Sequence, residues 1–244
     1  MTLPRYALYY APRPEEALSV AANQWLGWSP NGSRGRALPA SSGIDPERLV
    51  AITAEPRRYG FHGTLKPPMA LIDDVTEADF LAAVGRFAAT QRTVTAPSLM
   101  LTALSDFLAL VPTQRSPELQ DLADRCVVEF DEFRRPAGDE ELARRRLNGL
   151  SPRQDELLLR WGYPYVLEEW RFHLTLTGRL TDEGERTAVM NILRPRFANL
   201  VDRPLPVRDL CVFRQSAPDR AFTMLARYRL GGGRLVHGEV WRAS

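Results

Sequence analysis

The feature that most constrains this chain is a five-residue string that occurs twice. Phe61-His62-Gly63-Thr64-Leu65 and Phe172-His173-Leu174-Thr175-Leu176 both read F-H-x-T-L. The chain has three histidines, and two of them stand in these strings. The same order of elements follows each. After the first string, a strand over 60–66 leads to a helix over 77–91, then to strands over 99–104 and 107–111. After the second, a strand over 172–180 leads to a helix over 182–197, then to strands over 207–213 and 222–230. Apolar residues at three- and four-residue spacing carry the helices, and short apolar or alternating runs carry the strands. From His62 to Phe107 is 45 positions, and from His173 to Phe222 is 49. The pattern predicts a duplicated strand–helix–strand–strand unit. Two such units with hairpin-linked strands imply an α+β fold, with antiparallel sheets around a central cleft and helices outside.

Strand parity sharpens the motif, because side chains alternate faces along a strand. His62, Thr64 and Lys66 are expected on one face, with Phe61 and Leu65 on the other. In the second copy Arg171, His173, Thr175, Thr177 and Arg179 share the polar face. Arg58 falls on the same parity upstream of His62. Two histidines titrating near neutral pH serve as general base and general acid in one turnover. Threonine hydroxyls bond non-bridging phosphate oxygens, and Lys66 or an arginine stabilises the charge that develops there. This set points to a phosphate ester. His62 and His173, with Thr64 and Thr175, are the expected catalytic group. Lys66, Thr177, Arg171, Arg58 and Tyr163 are the substrate-binding candidates. Arg171 and Arg58 fit a surface ion pair as readily as a phosphate contact. Tyr163 and Tyr165 fit core packing as readily as a cleft wall.

The rest of the chain fills in the frame. A strand is expected over 5–10, a helix over 15–25, a loop over 27–46 and a short helix over 46–52. Between the two units, helices are expected over 116–132, 139–150 and 152–161. Their charged middle (Glu140, Glu141, Arg144, Arg145, Arg146) reads as a solvated face. There are 32 basic and 30 acidic residues, for a net charge of +2. No global basic field marks a nucleic-acid binder. Cys126 and Cys211 stand apart and predict neither a disulfide nor a CxxC site. No HxH, HExxH, G-x-S-x-G or P-loop string is present, so no metal and no cofactor are expected. His237, after a glycine run, reads as surface structure. No apolar run suits a signal peptide or a membrane span, and a cytoplasmic protein is expected.

At these strings the chain resembles the 2H phosphoesterase superfamily, defined by two H-x-[ST]-x motifs on a duplicated fold. Within it, the chain is similar to the DUF1045 group, tied to phosphonate metabolism. The finer match lies in RYALYYAP at the start, WLGW at 25–28, RYGFHGTLKPP at 58–68, and RWGYPYV and FHLTLTGRL within 160–180. The resemblance implies a bilobed single domain over 1–244. One lobe would hold 46–115, a helical insertion 116–170, and the other lobe 171–230. It implies metal-free cyclic phosphodiesterase chemistry on a small phosphorylated sugar or nucleotide, with His62 and His173 as the acid–base pair. Lys66 and Thr177 stand where many members carry apolar residues, which suggests a second anionic group on the substrate. The competing expectation is a binding module that holds a phosphorylated metabolite or an RNA end without turnover. An RNA end is disfavoured by the small net charge.

Overall fold

Both faces of the first strand are apolar, which places it inside a sheet rather than at an edge. In the computed structural model, which describes residues 3–29, 43–147 and 149–232, strand β1 (Arg5–Tyr10) turns Tyr6, Leu8 and Tyr10 into the main core. Its alternate residues Ala7 and Tyr9 join a second apolar cluster with Cys211, Phe213 and Phe222. Most of the loop expected over 27–46 lies outside the described residues, and so does His237.

In chain order the remaining elements are α1 (Ala17–Leu26), α2 (Pro46–Tyr59), β2 (Gly63–Met69), α3 (Glu77–Thr90), β3 (Val94–Ala96), β4 (Leu99–Leu104), β5 (Phe107–Pro112), α4 (Pro117–Glu129), α5 (Asp139–Arg146), α6 (Pro152–Trp161), β6 (Leu174–Thr175), α7 (Glu183–Val201), β7 (Leu205–Val207), β8 (Asp209–Gln215) and β9 (Thr223–Arg229). The duplicated unit is present as β2-α3-β3-β4-β5 and β6-α7-β7-β8-β9. One antiparallel sheet runs β2-β1-β8-β9 and another runs β4-β5-β6. The equivalent short strands β3 and β7 pair antiparallel, with Val94 opposite Val207. That pairing marks a pseudo-two-fold axis between the units. The α+β class expected from the repeat is therefore what the chain forms.

The lobes are not contiguous in sequence. The histidine strand of the first unit shares a sheet with the hairpin of the second, and the histidine strand of the second pairs with the hairpin of the first. The helices follow: α3 packs on β8 and β9, and α7 packs on β4 and β5. The boundaries 46–115 and 171–230 thus divide the sequence units but not the lobes. The symmetry is also incomplete. Beside β6 lies β5, whereas the matching place beside β2 is taken by β1, and β9 is displaced to the far side of β8.

Local chemistry explains where the elements stop. Asp45 accepts from the Arg48 N–H at 2.9 Å and starts α2, with Pro46 in its first turn. The helix runs past the expected stop at 52 to Tyr59 although Pro56 lies inside it. Proline leaves the carbonyl four residues back without its helical donor. Here that carbonyl, of Ile52, accepts from the Gly178 N–H at 2.6 Å. The defect in α2 thereby becomes a dock for the chain just beyond β6. Thr76 and Asp79 form a reciprocal capping box at the start of α3. The strand β2 runs through Pro67 and Pro68, where a stop was expected. It is an edge strand and can do without their amide donors.

The two motif strings touch each other. Trp170 Nε1 donates to the Thr64 carbonyl at 2.8 Å. The Phe172 ring lies so close to Gly63 that a Cβ there would sit 2.3 Å from it. The variable position of the first string must therefore be glycine, whereas Leu174 fills the equivalent place in the second and is fully buried. Gly63→Ala should displace Phe172 and lower stability by about 1–3 kcal/mol. A urea titration of the variant against the parent chain checks this; equal midpoints would show that the contact is dispensable.

Candidate active site

His62 and His173 line one cavity of about 460 Å³. The element that carries each ring is short. The turn at Gly60, with φ +73°, ends α2 and aims the chain into β2, with His62 just before the strand. His173 stands just before the two-residue β6. Each ring is tied in the same way. His62 Nδ1 donates to the Gly60 carbonyl at 2.8 Å, and His173 Nδ1 donates to the Arg171 carbonyl at 2.8 Å. A carbonyl can only accept, so both Nδ1 atoms carry the proton and both Nε2 atoms keep a lone pair. Thr64 Oγ1 stands 3.3 Å from His62 Nε2. Thr64, Thr175 and Thr177 also line the cavity.

Desolvation dominates the electrostatics. Burial pushes His62 down to about 4, opposed by its bond to Gly60 and aided by the charge His173 would carry. Burial likewise lowers His173, opposed by its bond to the Arg171 carbonyl. At neutral pH both rings are neutral bases, and a proton on one disfavours a proton on the other. Tyr9 stacks on His62 with centroids 3.8 Å apart, and the Phe107 ring lies 5.8 Å from His173. These aromatic walls supply the desolvation. The cavity also holds Arg5, Arg145 and Arg179 against Glu55 and Asp106, with Arg179 paired to Asp106 at 3.4 Å.

Three candidates from the sequence lie elsewhere. Lys66 is only 2% exposed and faces α4, where its Nζ donates to the Val127 carbonyl at 2.9 Å. The parity expected for it fails at a β-bulge. Tyr9 opposes Thr64 and Leu8 opposes Lys66, so Leu65 is an extra residue on β2. A bulge turns consecutive side chains to one face, and both Leu65 and Lys66 enter the core side. There the ammonium caps a carbonyl in the last turn of α4, which has no helical donor. Arg58 belongs to helix α2, not to a strand, and its guanidinium donates to the Pro218 carbonyl. Arg171 lies before β6, exposed and outside the cavity lining, and only its carbonyl serves the site. Thr177 does line the cavity, but its oxygen accepts from the Leu108 N–H at 2.9 Å. Tyr163 is part of the cavity wall.

Other wall residues were not legible as such. Arg145, from the stretch expected to be a solvated face, has a side chain only 16% exposed and lies over the Tyr163 ring at 4.8 Å. Its spacing of four from Glu141, just ahead of the aromatic RWGYPYV string, was the available signal. Tyr9, Tyr59, Arg5, Asp106 and Phe107 come to the cavity only through sheet pairing and helix docking. Among the described residues, no three His, Cys, Asp or Glu side chains gather in a way that could hold a metal ion. No helix among them is long and apolar enough to cross a membrane.

Comparison with known proteins gives these residues a family. The model of the family described as "Protein of unknown function (DUF1045)" matches residues 64–223. The chain belongs to the DUF1045 family. The matched segment includes His173 and both motif threonines, and begins two residues after His62. Two curated relatives carry the name ribose 1,5-bisphosphate phosphokinase PhnN. The one from Janthinobacterium sp. (strain Marseille) is 36% identical over 234 residues, covering 95% of this chain and 52% of its own. The one from Laribacter hongkongensis (strain HLHK9) is 36% identical over 224 residues, covering 90% and 50%. The chain thus spans about half the length of these relatives. Among solved structures, E. coli LigT complexed with 3′-AMP shows 15% identity and a TM-score of 0.40 over 94% of this chain and 99% of that one. A likeness that distant carries no weight here.

Two outcomes test the site's electrostatics. His62 holds a lowered pKa in the fold, so the unfolded chain binds more protons as pH falls from about 6.5 towards 4. Stability attached to this ring is complete above about 6.5, is lost as pH falls, and levels off below about 4. The total is about 3 kcal/mol. Melting curves from pH 4 to 8 should show His62→Asn losing less stability with acid than the parent; parallel curves would refute the desolvation. Lys66 is pushed down to about 8 by burial. Its contribution runs the same way, with stability rising as pH climbs from about 8 to 10. Lys66→Met should abolish that rise and cost about 1–3 kcal/mol through the orphaned carbonyl. Melting curves of the variant from pH 7 to 10.5 check this; a rise that persists would place the Lys66 ammonium outside the core.

Proposed function

We propose that this chain is a metal-independent phosphoesterase that opens a cyclic phosphodiester, with His62 as general base and His173 as general acid. One observation carries the proposal. Two histidines from equivalent places in a repeat share one cavity, each with Nδ1 tied to a backbone carbonyl two residues back and a lone pair on Nε2, which at His62 meets the Thr64 hydroxyl at 3.3 Å. His62, the more deeply desolvated ring, stays neutral. Its Nε2 takes a proton from the attacking water as that oxygen bonds to phosphorus. The opposite P–O ester bond breaks, and the leaving oxygen takes a proton from His173 Nε2. The anionic substrate favours the protonated form of His173 that this step consumes. The proton gained by His62 and the one lost by His173 balance, and solvent resets the pair. Thr64 and Thr175 donate to the non-bridging oxygens.

The relatives' name supports a particular substrate class. Opening a 1,2-cyclic phosphate of ribose 5-phosphate at O2 yields ribose 1,5-bisphosphate, the compound in that name. A phosphoesterase that makes it would feed the activity those relatives are named for, in phosphonate metabolism. The test is turnover of cyclic phosphates by EDTA-treated protein: ribose 1,2-cyclic phosphate with and without a 5-phosphate, beside 2′,3′-cyclic nucleotides. Activity should survive EDTA and fall by about 10²–10⁴-fold in His62→Ala and His173→Ala. No turnover of any member, with ligand binding intact in both variants, would replace the enzyme by a binding module.

A further inference from the structure

The cavity has two polar groups beyond the histidines. In one, Asp106 pairs with Arg179, and Glu55 lies against Gly178. A second polar group in the lining is Arg5 and Arg145 with Tyr59 and Tyr163: Arg145 lies over Tyr163, and Arg5 lies over Phe222, which stacks on Tyr59. Of the two arginines, Arg145 is paired with Glu141 at 2.6 Å, and Arg5 is held by the neutral amide of Gln215, so the pair keeps a net positive charge.

Each guanidinium there is fixed and still has an edge to offer. Arg145 gives Nε and Nη2 to one oxygen of Glu141, at 3.2 and 2.6 Å, and lies over the Tyr163 ring at 4.8 Å. Arg5 gives Nε and Nη2 to Gln215 Oε1, at 2.9 and 2.5 Å, and lies over Phe222 at 5.6 Å. Among the described residues neither Nη1 has a protein partner. A neutral amide holds Arg5 in place without neutralising it. Tyr9, Tyr59 and Tyr163 lie within electrostatic reach of one another, with Arg5 near Tyr9 and Arg145 near Tyr163. Burial raises Tyr9 and Tyr163, so their phenols stay protonated and act as donors. Fixed guanidinium edges beside neutral hydroxyl donors suit a phosphate.

We propose that Arg5 and Arg145, with Tyr59 and Tyr163, form a second anion subsite, and that the substrate carries a terminal phosphomonoester besides the ester opened at the histidines. The substrate half of the proposal rests on the phosphoesterase reading above. Arg5 lies four residues from Tyr9 on β1, about 13 Å along the strand, and its side chain reaches back over Phe222 towards Tyr9, which stacks on His62. The second anionic group suggested by Lys66 and Thr177 is thereby moved to residues that the strand pattern did not mark.

The experiment has a binding arm and a turnover arm. By calorimetry, the parent chain should bind ribose 5-phosphate at least 10-fold more tightly than ribose. Arg145→Gln and Arg5→Gln should lose that preference, Arg145→Lys should restore part of it, and His62→Ala should keep it. Helix α5 buries no residue, so Arg145→Gln keeps its fold, which a melting curve confirms. In turnover, the preference in kcat/KM for the 5-phosphorylated cyclic substrate over its 5-hydroxyl form should collapse by about 100-fold in Arg145→Gln. A parent chain that binds ribose 5-phosphate no better than ribose, or arginine variants that keep the preference, would overturn the subsite. The expected binding pattern without turnover would support the subsite and sink the hydrolase reading alone.

Discussion

Everything in this molecule depends on an exchange between its two repeats. Neither histidine strand pairs with the hairpin of its own unit. The first shares a sheet with the hairpin β8-β9, and the second pairs with β5. The helices cross over in the same direction. Neither unit can complete a sheet alone, so the core closes only when both are present. The cavity between the sheets is a consequence of that closure. The contacts of Trp170 and Phe172 with the first motif hold the two strings together where the histidines emerge.

On that frame the site is built with little chain. Little regular structure is needed, because a backbone carbonyl two residues upstream orients each imidazole. Aromatic walls remove water from both rings, which keeps them neutral and makes one proton the most the pair can comfortably hold. A base and an acid then need only one proton between them. The threonines beside them offer uncharged donors, and Arg5, Arg145 and Arg179 line the same cavity. Lys66, the one lysine of the chain, is spent instead on a helix end. Burying an ammonium at that carbonyl is tolerable because the α4 terminus presents negative partial charge.

Several failures of the strand reading share one cause. Alternation assigns faces only while the strand is regular. The bulge at Leu65 turned Lys66 away, the helix through Arg58 made its parity meaningless, and the chain before β6 is too irregular to place Arg171. Pro56 and Pro67-Pro68 look like stops in one dimension. In three dimensions an amide from Gly178 takes up the carbonyl that Pro56 leaves, and an edge position excuses the other two.

By itself the sequence determined the α+β class, the duplicated unit, most element positions, and the four groups His62, Thr64, His173 and Thr175 at one cavity. It could do so because those features are local or repeat themselves: periodicity, capping residues, and one string written twice. Tertiary structure alone decided which hairpin completes which sheet, that β1 takes the place beside β2, and that Tyr9, Arg5 and Arg145 line the cavity of the histidines. Those outcomes come from pairings between residues as far apart as Arg5 and Gln215, 210 positions. No spacing along the chain records such pairings, because they are selected by the closing of one shared core.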